Sequence, residues 1–207
     1  MAQYFEIHPH NPQRRLVQQA VSIIDKGGLV IYPTDSSYAL GCHIGDKSAM
    51  ERIQRIRRLD NKHHFTLVCS DLSEIGTYAK VSNSDYRLMK TLTPGPYTFL
   101  LQATSIVPRR LMNPKRKTIG VRVPDNSIVQ ELLMQLGQPI MSSTLIPAGG
   151  TEAMDDAEEI RDLYQHDVDL VIDGGFCGTE PTTVINLIDS VPEIIRHGKG
   201  AVDFLDS

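Results

Sequence analysis

The sequence predicts an α/β protein: a single domain whose twisted sheet mixes parallel and antiparallel strands between flanking helices. Three observations lead there. Short apolar runs of strand length alternate with longer segments whose apolar residues recur every three or four positions. The alternation is not a clean strand–helix–strand repeat, so part of the sheet must run antiparallel. The 207 residues are 41% hydrophobic and 22% charged, enough for one substantial core and ordinary for a soluble globular chain. No repeat, low-complexity tract or linker divides the chain.

The elements follow in order. Residues 12–26 read as a helix, with Leu16, Ala20, Ile23 and Ile24 on one face. Gly27-Gly28 closes it and opens a buried strand over 28–33, carried by Leu29-Val30-Ile31. Asp46 can cap a helix reaching Leu59, with Ala49, Ile53 and Ile56 inward. Phe65–Cys69 reads as a strand. Ser82 or Ser84 starts a helix ending near Leu92. Strands are expected at 98–101 and 119–123, a helix at 126–136 and a strand at 139–143. Asp155 or Asp156 opens a helix toward Tyr164, and strands at 168–172, 183–188 and 193–196 complete the list.

No apolar run approaches membrane-spanning length, and the first residues lack a basic region followed by an apolar one. Cys42, Cys69 and Cys177 are odd in number and far apart. Reduced thiols and a cytoplasmic location are therefore expected. There is no Cys-x-x-Cys, His63-His64 are adjacent, and no metal site is expected. We expect a monomer without membrane contact.

The densest polar cluster follows the first strand: Pro33, Thr34, Asp35, Ser36, Ser37 and Tyr38. Each hydroxyl needs a partner if buried. Two readings stand side by side. The cluster orients a small polar ligand at the mouth of a cleft, or it is a turn whose side chains cap nearby backbone. Ser142-Ser143-Thr144 ends another predicted strand, where open α/β sheets bind ligands. Arg122 interrupts an apolar strand. It snorkels from an edge, faces a polar cleft, or pairs with an acid such as Asp35. No phosphate-loop glycine motif and no Gly-x-Ser-x-Gly elbow occurs.

Charge is segregated within a net of −4. Arg52, Arg55, Arg57, Arg58 and Lys62 form one basic cluster against the single acid Asp60. Arg109, Arg110, Lys115, Arg116, Lys117 and Arg122 form a second with no acid between them. On the first of these helices Arg52 and Arg57 flank the apolar stripe, while Arg55 and Arg58 point away. Such clusters suit phosphate-bearing partners, RNA or nucleotide, or are simply solvated faces.

Tyr32-Pro33-Thr34-Asp35, Tyr38, Thr93–Thr98, Gly120–Asp125, Ser142-Ser143-Thr144, Asp173-Gly174-Gly175, Pro181–Ile185 and Ile195-Arg196-x-Gly198 occur in that order. Together they resemble the YrdC/YciO family, the group containing the threonylcarbamoyl-adenylate synthases. The resemblance implies a YrdC-like domain over residues 14–200 with a concave basic surface. It implies ligand contacts at Thr34, Tyr38, Arg57, Arg122, Ser142, Thr144 and Arg196. ATP or AMP with magnesium is the implied cofactor, and double-stranded RNA or tRNA the implied partner. Two departures stand out. The family's Lys-x-Arg falls on Arg57-Arg58-Leu59 and its Ser-x-Asn on Thr144-Leu145-Ile146. Leucine and isoleucine cannot donate to phosphate oxygens, and removing a single such donor costs a rate about a hundredfold or more. Three functions remain open: an RNA- or nucleotide-binding protein, an enzyme forming or hydrolysing threonylcarbamoyl-adenylate, and a small-ligand binder without catalysis.

Overall fold

The computed structural model describes residues 1–59, 65–113, 115–189 and 191–203. Among these residues, eleven strands form one mixed sheet with helices on both faces. The chain runs β1 (Gln3–Glu6), α1 (Arg14–Asp25), β2 (Val30–Pro33), β3 (Tyr38–His43), α2 (Lys47–Arg57), β4 (Thr66–Val68), α3 (Leu72–Tyr78), β5 (Ala79–Lys80) and α4 (Asn83–Leu92). It continues with β6 (Tyr97–Ala103), β7 (Thr118–Arg122), α5 (Ser127–Leu136), β8 (Ile140–Thr144), α6 (Ala157–Tyr164), β9 (Leu170–Asp173), β10 (Thr183–Asn186) and β11 (Glu193–Arg196). Across the sheet the order is β1-β9-β2-β3-β8-β4-β7-β6-β10-β11, with β5 beside β6. β1–β9, β2–β9, β4–β7 and β6–β10 pair in parallel; the other pairs are antiparallel.

Helix starts obey local chemistry. The Asp46 side chain accepts from Ala49 N–H at 2.8 Å, Asp71 from Glu74 N–H at 2.8 Å, and Asn126 from Val129 N–H at 3.1 Å. Ser82 and Asp85 form a capping box on α4, and Asp156 accepts from two N–H groups of α6. Each such cap is worth about 1 kcal/mol. Gly137 ends α5 at φ 68°, a left-handed conformation that a side chain would strain.

Two cores sandwich the sheet. The larger packs Ile53 of α2, Ile75 of α3, Met89 of α4 and Ile160 of α6 against Leu40, Leu67, Phe99 and Val121. The smaller packs Val17, Ala20 and Ile24 of α1 and Ile128, Val129 and Leu132 of α5 against Val30, Tyr32, Ile140 and Leu170. This second layer reaches β1, β9, β2, β3, β8 and the end of β4. It contains no residue of β6, β7 or β10. Among the described residues, no helix therefore covers this face of the sheet beyond α1 and α5.

Among the described residues, three strands and one α-helix escape the sequence reading. β1 is a half-exposed edge strand, and β5 is two residues long. The seven-residue α3 lies where no element is expected. β3 begins at Tyr38, the last residue of the polar cluster, and runs on through residues where no element is expected. Its residues are buried on both sides, so no polar alternation marks it. The turn itself is real and shorter: Pro33 pairs with Tyr38, leaving Thr34–Ser37 to connect β2 and β3.

Candidate functional site

The part of the sheet face beyond α1 and α5 forms a cleft of about 340 Å³. Its floor follows from strand alternation. On β7, Ile119 and Val121 enter the larger core, so Gly120 and Arg122 face the opposite way. In register beside Gly120 stand Thr66 of β4 and Leu100 of β6. A methyl at position 120 would lie 3.1 Å from Thr66 Oγ1 and 3.4 Å from Thr98 Cγ2, so the glycine is what makes the floor concave. Ser142 and Thr144 bound one side, Thr182 and Val184 the other.

Three arginines line this cleft, from three different elements. Arg57 lies four residues after buried Ile53, so the stripe that fixes α2 also carries its last arginine over the sheet. Its Nη1 donates to Ser143 Oγ at 3.0 Å and to the Thr144 carbonyl. Arg122 is 7% exposed. Its Nη2 pairs with Asp35, whose other carboxylate oxygen accepts from the Asp125 N–H at 2.9 Å. Its Nη1 lies 3.4 Å from Ser36 Oγ. Arg196 on β11 donates through Nε and Nη2 to the Thr182 carbonyl at 3.1 and 2.8 Å. Burial lowers the pKa of Arg57, and burial together with the nearby Arg122 charge lowers that of Arg196. Among the described residues, the buried Nε atoms of Arg57 and Arg122 have no hydrogen-bond partner.

The hydroxyls divide into used and unused. Thr34 Oγ1 donates to the Ser37 carbonyl at 2.7 Å and accepts from the Ser36 and Ser37 N–H groups. It thus builds the β2–β3 turn, the second of the two roles the sequence left open, while still lining the cleft. Ser142 Oγ accepts from the fully buried Tyr32 at 2.8 Å and donates to the Leu40 carbonyl at 3.1 Å. Burial pushes the Tyr32 phenol up to about 12, against the opposing effects of that bond and of Arg122.

The structure thus brings Thr34, Arg57, Arg122, Ser142, Thr144 and Arg196 together. It does not bring Tyr38. That side chain lies in the larger core, and its hydroxyl donates to the Gly175 carbonyl at 2.9 Å, pinning a loop. Arg122 meets two of its readings at once: it faces the cleft and pairs with Asp35. Ile146 also lines the cleft, whereas Leu59 does not. Thr66, Thr98, Leu100 and Gly120 were missed, although period-2 alternation against their core-facing neighbours would have found them.

The basic clusters do not merge into one surface. Arg52 is bound to Asp169 at 2.7 Å and to the Asp167 carbonyl, so it is a structural cation. Arg55 and Arg58 are exposed at the C-terminal end of α2. Arg109, Arg110, Lys115, Arg116 and Lys117 are exposed between β6 and β7, and none lines the cleft. Arg110 lies near Gly45, beside the N-terminal end of α2. An 11-residue helix, about 16 Å long, separates the two groups. Lys62 lies outside the described residues. Among the described residues no cluster of His, Cys, Asp and Glu could hold a metal ion, and no helix is long and apolar enough to cross a membrane.

An α/β domain with an arginine-lined cleft on the uncovered face of a mixed sheet defines the class of this protein. The family model described as telomere recombination, covering Sua5, YciO and YrdC, matches residues 22–198, and the chain belongs to that family. It is 56% identical to Escherichia coli YciO over 98% of each chain. The YciO crystal structure superimposes with a TM-score of 0.95 over 98% of both chains. A threonylcarbamoyl-AMP synthase of Vibrio vulnificus is 28% identical over 76% of this chain and 86% of its own. The fold is shared, at 24% identity and a TM-score of 0.86, with a Pyrococcus abyssi Sua5 structure complexed with L-threonine; it covers 94% of this chain and 57% of that one.

Proposed function

We propose that the protein binds an adenine nucleotide or adenylate in the arginine-lined cleft, with its phosphate on Arg122 and Arg196. One observation carries this reading: guanidinium groups from three separate elements converge on a cavity with no carboxylate among its described lining residues. Such an arrangement is costly to fold without an anion to occupy it. The cavity, about 340 Å³, falls within the range of small-molecule sites. The synthase relatives point to a threonylcarbamoyl-adenylate as the kind of molecule concerned. Magnesium, if the nucleotide carries it, finds no carboxylate among the described cleft-lining residues and stays on the phosphates. Ile146 stands in the cleft where synthases of this family bear a donor, so little threonylcarbamoyl-adenylate is formed.

Isothermal titration with AMP and ATP tests binding, and mass spectrometry of a reaction with ATP, threonine and bicarbonate tests synthesis. Saturable AMP binding with little product supports the reading. Absence of any nucleotide binding overturns it. A second reading, duplex-RNA binding, is supported by the exposed Arg55 and Arg58 at the end of α2 that carries Arg57. RNA affinity must then fall steeply with salt, since phosphate neutralisation releases counterions. Affinity that ignores salt would remove this second reading.

A further inference from the structure

Resting on the nucleotide reading, we infer that Lys199 is a positioning residue for the bound phosphate: from outside the cleft it fixes the spacing of Arg122 and Arg196. The observation is that neither guanidinium is placed by its own strand. Arg122 stands on β7 and Arg196 on β11, with β6 and β10 between them. Three strand spacings put those strands about 14 Å apart. The head groups nevertheless come close enough for the Arg122 charge to lower the pKa of Arg196. Each head is held by something beyond its strand. Asp35, on the turn between β2 and β3, carries Arg122. The Thr182 carbonyl, just before β10, carries Arg196. The gap between the two arginines therefore depends on how the turn sits against the chain around Thr182.

The segment after β11, residues 197–201, is a strap laid on that chain. The Lys199 N–H donates to the Pro181 carbonyl at 2.9 Å, and the Gly198 N–H to Thr183 Oγ1 at 3.1 Å. Thr183 Oγ1 donates to the Gly200 carbonyl at 2.6 Å, and the Tyr97 hydroxyl to the Ala201 carbonyl at 2.9 Å. Gly198 against the Pro181 carbonyl and Gly200 against the Tyr97 ring leave no room for a Cβ. From this fixed strap Lys199 reaches back, and its Nζ donates to the Asp35 carbonyl. Among the described residues no other hydrogen bond joins strap and turn. Lys199 lines a second cavity, beside Asp35 and Asp125, and is absent from the cleft lining. It therefore reaches the ligand only through Asp35. Repulsion between Arg122 and Arg196 pushes turn and strap apart, and the Lys199 bond resists it. A phosphate that accepts from both arginines needs them at one separation. Binding is tighter when that separation exists, to within about 0.5 Å, before the ligand arrives.

Titration calorimetry with AMP tests this on the intact protein. Lys199→Met keeps the alkyl stem and removes the donor. AMP affinity falls about tenfold, as loss of one hydrogen bond to a charged group implies. The loss persists in about 0.5 M sodium chloride, where a remote surface charge is screened. Lys199→Arg still donates to the carbonyl and keeps affinity within about threefold of the unmutated protein. In an Arg196→Gln background, Lys199→Met changes affinity by less than about twofold, because only one of the two guanidiniums is left to position. Unchanged AMP affinity in Lys199→Met overturns the inference and leaves the nucleotide reading standing. A loss that vanishes in salt shows a remote charge, and an undiminished loss in the Arg196→Gln background shows a general structural effect; either overturns it. So does a loss in Lys199→Arg equal to that in Lys199→Met. If the unmutated protein does not bind AMP, the nucleotide reading itself falls and this inference with it.

Discussion

Replacing Asp35 by alanine tests the link between fold and cleft most directly. The carboxylate pairs with Arg122, and both side chains are 8% exposed. Its second oxygen holds the Asp125 N–H at 2.9 Å. Removing it leaves a guanidinium nine-tenths buried, with only a weak 3.4 Å approach to Ser36. Breaking a buried ion pair from one side costs about 3–5 kcal/mol. That is a large part of the 5–15 kcal/mol typical of a domain. Urea unfolding should show the loss as a lower midpoint at unchanged slope. Adding Arg122→Met removes the stranded charge, so the double variant should recover most of the lost stability; the cycle isolates the pair. The reasoning is refuted if Asp35→Ala costs less than about 1 kcal/mol, the value of a solvated surface pair. Water would then reach Arg122 freely, and the cleft would not be the desolvated site described here.

Two further outcomes follow from single residues. Gly120→Val should keep the fold, because valine suits a strand, but its methyls fill the cleft floor beside Thr66 and Thr98. AMP affinity in calorimetry should fall about tenfold or more, as 1–3 kcal/mol of overpacking implies; unchanged affinity would place the ligand elsewhere. Tyr32 should stay protonated until about pH 12. Its folded pKa is raised above the ordinary 10, so the stability it contributes is intact below pH 10 and lost as pH rises through 12, where only the unfolded chain releases the proton early. Ultraviolet titration of the protein and of a Tyr32→Phe variant should coincide up to about pH 11, with the extra phenol of the unmutated protein ionising only near pH 12; one phenol fewer in the variant already near pH 10 would show Tyr32 to be reachable by water.

Much of the fold was legible in the chain. The caps at Asp46, Ser82 and Asp156 and the apolar stripes of α1, α2 and α5 are local, so side chains three or four residues apart specify them. The same stripe logic separated Arg52 and Arg57, which turn toward the sheet, from Arg55 and Arg58, which do not. The alternation on β7 marked Arg122 as facing away from the core. By itself, then, the sequence determined the fold class, most elements and the arginine positions on them. It could not say which arginines meet. Arg57, Arg122 and Arg196 lie far apart in the chain and converge only because β8, β4, β7, β6, β10 and β11 lie side by side. It could not separate Thr34 as a turn builder from Thr34 as a ligand group, nor send Tyr38 into the core, because a hydroxyl's partner is chosen by whatever packs against it. The cleft is also a matter of what is missing: α1 and α5 cover one half of the sheet face and stop. Strand order and the extent of a covering layer are non-local, and only the tertiary structure decided them.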